Sequence, residues 1–178
     1  MTSLSDLHLL VVDDNPQMRH LLRCLLRAGG FHRVTEADTA NEALRTMRAT
    51  TVDLVLLDWK MAPIDGLAFA RMIRWDANSP SPYAPILMLT AHTEISRVAA
   101  ARDAGVTGFI KKPISTRLLF DRITSALTDT RMFVRTEDFF GPDRRRGESE
   151  NYAGPFRRAT DAGNAHDMFD IDDMRASA

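Results

Sequence analysis

Two adjacent aspartates, Asp13 and Asp14, directly follow an apolar run at residues 7–12, and a third, Asp58, follows another at 54–57. Thr90 closes a run at 86–89, and Lys111-Lys112 close one at 108–110. Three carboxylates brought together repel one another unless a cation neutralises them. A hard divalent ion with oxygen ligands answers that need, and Mg²⁺, which keeps waters and binds phosphate oxygens, fits best. With such an ion bound, one carboxylate is free to attack phosphorus and form an acyl phosphate. Phosphoryl transfer then rests on positioning and on neutralising the phosphoryl oxygens, for which a lysine and a hydroxyl are the right types. Each residue has a plainer reading when taken singly: Asp13-Asp14 and Asp58 as turn or strand-end caps, Thr90 as a helix N-cap. It is their coincidence that points to a site.

That coincidence requires elements that bring four strand ends into one crevice. The runs at 7–12, 33–35, 54–57, 86–89 and 108–110 alternate with amphipathic stretches. Three of them are almost wholly apolar, as parallel strands covered on both faces are. Between them, helices are predicted at 16–28, 39–49, 66–74, 94–104 and 115–127. In the first, Met18, Leu21, Leu22, Leu25 and Leu26 recur with a helical period and form one core-facing stripe, with Pro16 suited to the first turn and Gly29-Gly30 as the stop. Cys24 falls in the same pattern and reads as packing. Five strands and five helices in alternation imply an α/β parallel sheet with right-handed crossovers. Ligands bind such sheets at the carboxyl ends of the strands, where strand order reverses.

Composition supports one domain with a tail. Of 178 residues, 44% are hydrophobic and 26% charged, and the net charge of −1 gives no general attraction to nucleic acid or anionic lipid. A single cysteine excludes an internal disulfide and fits a reducing compartment. With no spanning-length apolar stretch and no signal-peptide pattern at the N-terminus, a cytoplasmic protein is expected. Residues 1–130 carry the α/β pattern, whereas 131–178 hold eight Arg, no Lys and ten acidic residues without a sustained period. A disordered or partner-docking tail is expected there. Within it, Phe139-Phe140-Gly141-Pro142-Asp143-Arg144-Arg145 is echoed by Tyr152-Ala153-Gly154-Pro155-Phe156-Arg157-Arg158, an aromatic-x-Gly-Pro-x-Arg-Arg repeat in which Gly-Pro suggests a turn.

Residues 6–128 resemble the receiver domains of bacterial two-component response regulators. The resemblance runs through Leu9-Leu10-Val11-Val12-Asp13-Asp14, then residues 54–61 around Asp58-Trp59-Lys60-Met61, and Asp65-Gly66. It continues through residues 85–91 ending in Thr90-Ala91, and through 103–113 ending in Phe109-Ile110-Lys111-Lys112-Pro113. It implies a flavodoxin-like (βα)5 doubly wound sheet of strand order 2-1-3-4-5. It also implies Asp58 as phosphoacceptor, with Mg²⁺ on Asp14, Asp58 and the backbone carbonyl of Lys60, and Asp13 acting through water. Thr90 and Lys112 would contact the phosphoryl group, Lys111 would face solvent, and the Lys112-Pro113 peptide would be cis. Thr90 and Phe109 would form the switch. One departure stands out: the family's proline after Met61 is displaced to Pro63, behind Ala62.

Lys60 and His92, each two residues beyond a site residue, are candidates for tuning the phosphoryl lifetime; the plainer reading is a pair of solvated side chains. The expected function is that of a stand-alone receiver. It would take phosphate from a sensor histidine kinase or histidine phosphotransfer protein and signal through protein contacts, as a monomer or a weak phosphorylation-dependent dimer. It would not be an enzyme beyond self-phosphorylation and self-dephosphorylation. The alternative is a tail that binds nucleic acid. Arg144-Arg145-Arg146 favours it, but the tail's excess of acids and the lack of a helix-turn-helix pattern oppose it.

Overall fold

The computed structural model describes residues 4–79, 81–91 and 95–143. Five parallel strands, β1 (His8–Val12), β2 (Arg33–Ala37), β3 (Leu54–Asp58), β4 (Ile86–Thr90) and β5 (Gly108–Lys111), lie in the order β2-β1-β3-β4-β5. They alternate with α1 (Pro16–Ala28), α2 (Ala40–Ala49), α3 (Gly66–Trp75), α4 (Ile95–Asp103) and α5 (Thr116–Leu127). This is the flavodoxin-like order, with the reversal between β1 and β3. The fully buried β1, β3 and β4 are the three most apolar runs.

Alternation along those strands divides the core in two. Leu10, Val12, Val55, Leu57, Ile86 and Met88 face α2, α3 and α4, meeting Leu44, Met47, Phe69, Ile73 and Val98. Leu9, Val11, Leu54, Leu56, Leu87 and Leu89 face α1 and α5, meeting Leu22, Leu26, Leu119 and Ile123. Helix starts are set by side-chain caps: Asn15 for α1, Thr39 for α2, Asp65 for α3 and Ser115 for α5. The sequence pattern places two of these, Thr39 and Ser115, inside their helices; each stands one residue before the first turn. The buried stripe of α1 is narrower than its pattern suggests: Leu22 and Leu26 are buried, Leu21 is 44% exposed and Cys24 is exposed. Each lies far enough around the helix from Leu22 and Leu26 to leave the sheet.

The larger difference lies beyond α5. Residues 131–143, expected to be irregular, contain β6 (Phe133–Arg135) and β7 (Phe140–Pro142), an antiparallel hairpin. Its turn falls at Thr136–Phe139, closed by the Phe139 N–H on the Thr136 hydroxyl at 3.1 Å and the Thr136 N–H on the Phe139 carbonyl at 2.8 Å. Gly141-Pro142 is therefore strand and not turn. The hairpin packs on α3 and α4, and Phe140, Gly141 and Pro142 are all buried. Three-residue strands carry too little period to be seen in sequence, and the surface they cover is supplied by distant residues. The second repeat copy, 152–158, lies outside the described residues.

Candidate functional site

The carboxyl ends of β1, β3 and β4 and the loop after β5 converge at the reversal of strand order. Asp13, Asp14 and Asp58 each present a carboxylate oxygen within a group whose atoms lie within 4.8 Å of one another. Asp13 and Asp58 are 1% and 6% exposed, whereas Asp14 opens to solvent. Lys112 donates from Nζ to Asp58 Oδ1 at 2.8 Å and to Asp13 Oδ2 at 3.2 Å. Its peptide with Pro113 is cis, as the resemblance implied. The Lys112 backbone N–H donates to the Thr90 carbonyl at 2.8 Å, which ties the lysine to the buried Thr90.

Several backbone details hold Asp58. The Lys60 N–H donates to its Oδ2 at 3.2 Å, and the Trp59 N–H donates to the Leu89 carbonyl at 3.0 Å. Gly66 opens α3 against the Asp58 backbone, where any Cβ would collide with the Asp58 carbonyl oxygen. The spacing of Asp65-Gly66 is thus a close-approach requirement. Between Asp58 and Asp65, Ala62-Pro63 is a second cis peptide.

The electrostatics are unbalanced. Burial is the largest influence on Asp58 and, with the charge of Asp13, raises its pKa above the ordinary aspartate value despite the opposing hydrogen bond from Lys112. Burial also works against the Lys112 ammonium, but its hydrogen bond to Asp58 and the two carboxylate charges outweigh it and hold its pKa above the ordinary lysine value. Three carboxylates facing one ammonium leave a deficit of positive charge. Donors of this kind, all oxygen and partly open to water, fit a hard divalent cation such as Mg²⁺.

The expected residues are thus largely assembled: Asp13, Asp14, Asp58 and Lys112 meet, with Thr90 on the adjoining strand end. Phe109, the expected switch aromatic, is 4% exposed and packs in the core face shared with α4. Lys60 and Lys111 are exposed; His92 lies outside the described residues.

A second cluster was not anticipated. Arg74, near the end of α3, is 2% exposed. Its guanidinium donates to the carbonyls of Gly105 (3.0 and 2.8 Å), Pro82 (2.7 Å) and Ala84 (2.8 Å). Phe133 lies over it, 5.1 Å from the guanidinium carbon to the ring centre. Burial lowers its pKa to about 9, still above neutrality, so it remains a cation among dipoles. The one available signal was the pair of aromatic sites, Phe133 and Phe139-Phe140, in a segment poor in aliphatic residues.

Comparisons agree with this geometry. The family model described as "Response regulator receiver domain" matches residues 9–124. The chemotaxis protein CheY of Pseudomonas aeruginosa is 33% identical over 115 residues, which span 65% of this chain and 91% of that protein. Among solved structures, CheY4 of Vibrio cholerae superposes with a TM-score of 0.64 at 26% identity, covering 68% of this chain and 98% of that one. The receiver domain of a Pseudomonas aeruginosa sensor histidine kinase, with magnesium coordinated in its active-site cleft, gives 0.62 at 26% identity, covering 69% and 98%.

Proposed function

Because the chain belongs to the response regulator receiver family, we propose that it accepts a phosphoryl group on Asp58 from a phosphohistidine donor and signals by changing its protein contacts. The observation that carries this reading is the Asp13–Asp14–Asp58 group with Lys112 Nζ 2.8 Å from Asp58 Oδ1. A carboxylate oxygen of Asp58 attacks phosphorus and forms the acyl-phosphate O–P bond. The P–N bond of the donor breaks, and its electron pair returns to the imidazole nitrogen. Lys112 follows the developing charge onto a phosphoryl oxygen, and the Thr90 hydroxyl donates to another. Asp14, Asp58 and the Lys60 carbonyl, with Asp13 through water, would hold Mg²⁺. An ion held there would neutralise phosphoryl charge and offset the carboxylate repulsion.

The donor would be a sensor histidine kinase or a histidine phosphotransfer protein in the cytoplasm; no helix among the described residues is long and apolar enough to cross a membrane. The chemistry would be self-modification, without a further substrate. Trp59, beside the acceptor, supplies the test. Its fluorescence is expected to respond to Mg²⁺ and then to beryllofluoride, and mass spectrometry to show one added phosphoryl group after acetyl phosphate. Asp58→Asn should abolish the last two responses. A wild-type protein that responds to neither would sink the reading.

A further inference from the structure

The ends of the sheet opposite the acidic pocket carry the C-terminal hairpin, and its contacts are unusually exacting. Gly105 takes φ +80°, and a Cβ there would collide with the Phe140 carbonyl oxygen. A Cβ on Gly141 would lie 2.6 Å from Gly105 Cα. Backbone thus meets backbone, and neither side can shift while keeping the contact. Around this seam, Phe140 packs edge-on against Trp75 and Tyr83, with ring centres 6.1 and 5.3 Å apart, and Phe133 covers Arg74. Arg131 donates to the Thr107 carbonyl at 3.2 Å, just before β5, and is itself held by Asp129 at 2.6 Å.

The hairpin therefore grips the end of α3, the α4–β5 turn and the entrance to β5. The same elements shape the acidic pocket at their other ends. Helix α3 begins with Gly66 against the Asp58 backbone, its N–H on the Trp59 carbonyl at 2.9 Å. Strand β5 runs from the α4–β5 turn to Lys111, next to Lys112. In this structure Lys112 Nζ is bound directly to Asp58 Oδ1. A phosphoryl group on that aspartate would draw the ammonium onto new oxygens and pull on the far end of β5. Packed elements answer such a pull by changing between discrete arrangements, not by stretching.

We infer that residues 131–143 form a strap that stabilises the arrangement in which Lys112 is bound to Asp58, so that strap docking and phosphoryl loading oppose each other. The inference rests on the phosphoacceptor reading. Coupling of this kind is reciprocal: releasing the strap tightens loading by the same factor by which loading loosens the strap.

The test uses the full-length chain with Trp75 kept, because its ring packs on Phe140, and bound beryllofluoride is read by fluorine NMR. Beryllofluoride is titrated with Mg²⁺ present, and strap release is read by mass spectrometry of tryptic cleavage after Arg131 and Arg135. Gly141→Ala and Phe140→Ala are compared with the parent, with circular dichroism confirming that each keeps its sheet and helices. Gly141→Ala, which adds one methyl group, serves if Phe140→Ala does not fold. The expected result is faster cleavage and beryllofluoride binding tighter by about fivefold or more. In the parent, beryllofluoride itself should speed the same cleavages. Release with affinity unchanged within about twofold overturns the inference and leaves the phosphoacceptor reading intact. Cleavage that stays slow in Gly141→Ala overturns the role given to the glycine seam. A parent that never responds to beryllofluoride overturns both readings.

Discussion

The two ends of the sheet bury charge in opposite ways. At the carboxyl ends, three carboxylates face one ammonium, and Asp58 is held above its ordinary pKa by burial and by Asp13. At the other end, one guanidinium makes four hydrogen bonds to carbonyls under an aromatic cover. The first cluster holds more negative than positive charge, whereas the second has four of its five N–H protons accepted and its surface covered. A buried charge marks a functional site when its surroundings leave it unbalanced and marks architecture when they complete it.

Removing the cation from each end should separate the two most clearly. Arg74→Ala leaves the carbonyls of Gly105, Pro82 and Ala84 without their donor and should lower stability by about 3 kcal/mol in urea denaturation, whether or not Mg²⁺ is present. A loss under about 1 kcal/mol would mean that water already reaches this seat. Lys112→Met should lower stability by about 2 kcal/mol in metal-free buffer, because Asp13 and Asp58 then face each other without a counter-ion. Millimolar Mg²⁺ should restore most of that loss. A deficit indifferent to Mg²⁺ would contradict the charge imbalance described for the pocket.

Acidity should sharpen the contrast further. Asp58 binds its proton more tightly folded than unfolded, so in metal-free protein its contribution to stability is full below the ordinary aspartate pKa. That contribution is lost as pH rises through the raised folded value. Asp58→Asn should therefore raise the neutral-pH urea midpoint in metal-free buffer and cancel the gain that Mg²⁺ gives the wild type. The smallest effect belongs to the strap. Arg131 lowers the Asp129 pKa against the opposing effect of burial, so this pair stabilises above the ordinary aspartate pKa and is lost as pH falls through the folded value. The pair is partly exposed, and Asp129→Asn should cost about 0.5 kcal/mol, seen as faster amide exchange at Arg131.

The same contrast explains what could be read from sequence. The sheet was legible because β1, β3 and β4 are buried on both faces and carry unbroken apolar runs. The pocket was legible because its residues sit directly at strand ends, where position along the chain nearly fixes position in space. β2 is less apolar, and its sequence pattern stops at Thr35, two residues short of Ala37. Arg74 was illegible for the converse reason. On a helix it looks like a basic residue of the last turn, and the rings that bury it lie some sixty positions away. Leu21 and Cys24 erred in the other direction, because an apolar type within a helical pattern does not say how wide the buried stripe is. Pro142 looked like a turn residue, yet it occupies a strand end where its missing N–H does no harm.

The contact between Gly105 and Gly141 has a consequence for how this part of the molecule can change over generations. Most packed surfaces drift by exchanging one side chain for a slightly larger or smaller one, with the neighbour following. A seam made of two main chains offers no such intermediate steps. Descendants of this protein should either retain both glycines together with the aromatic cover or discard the whole appendage, with few forms between.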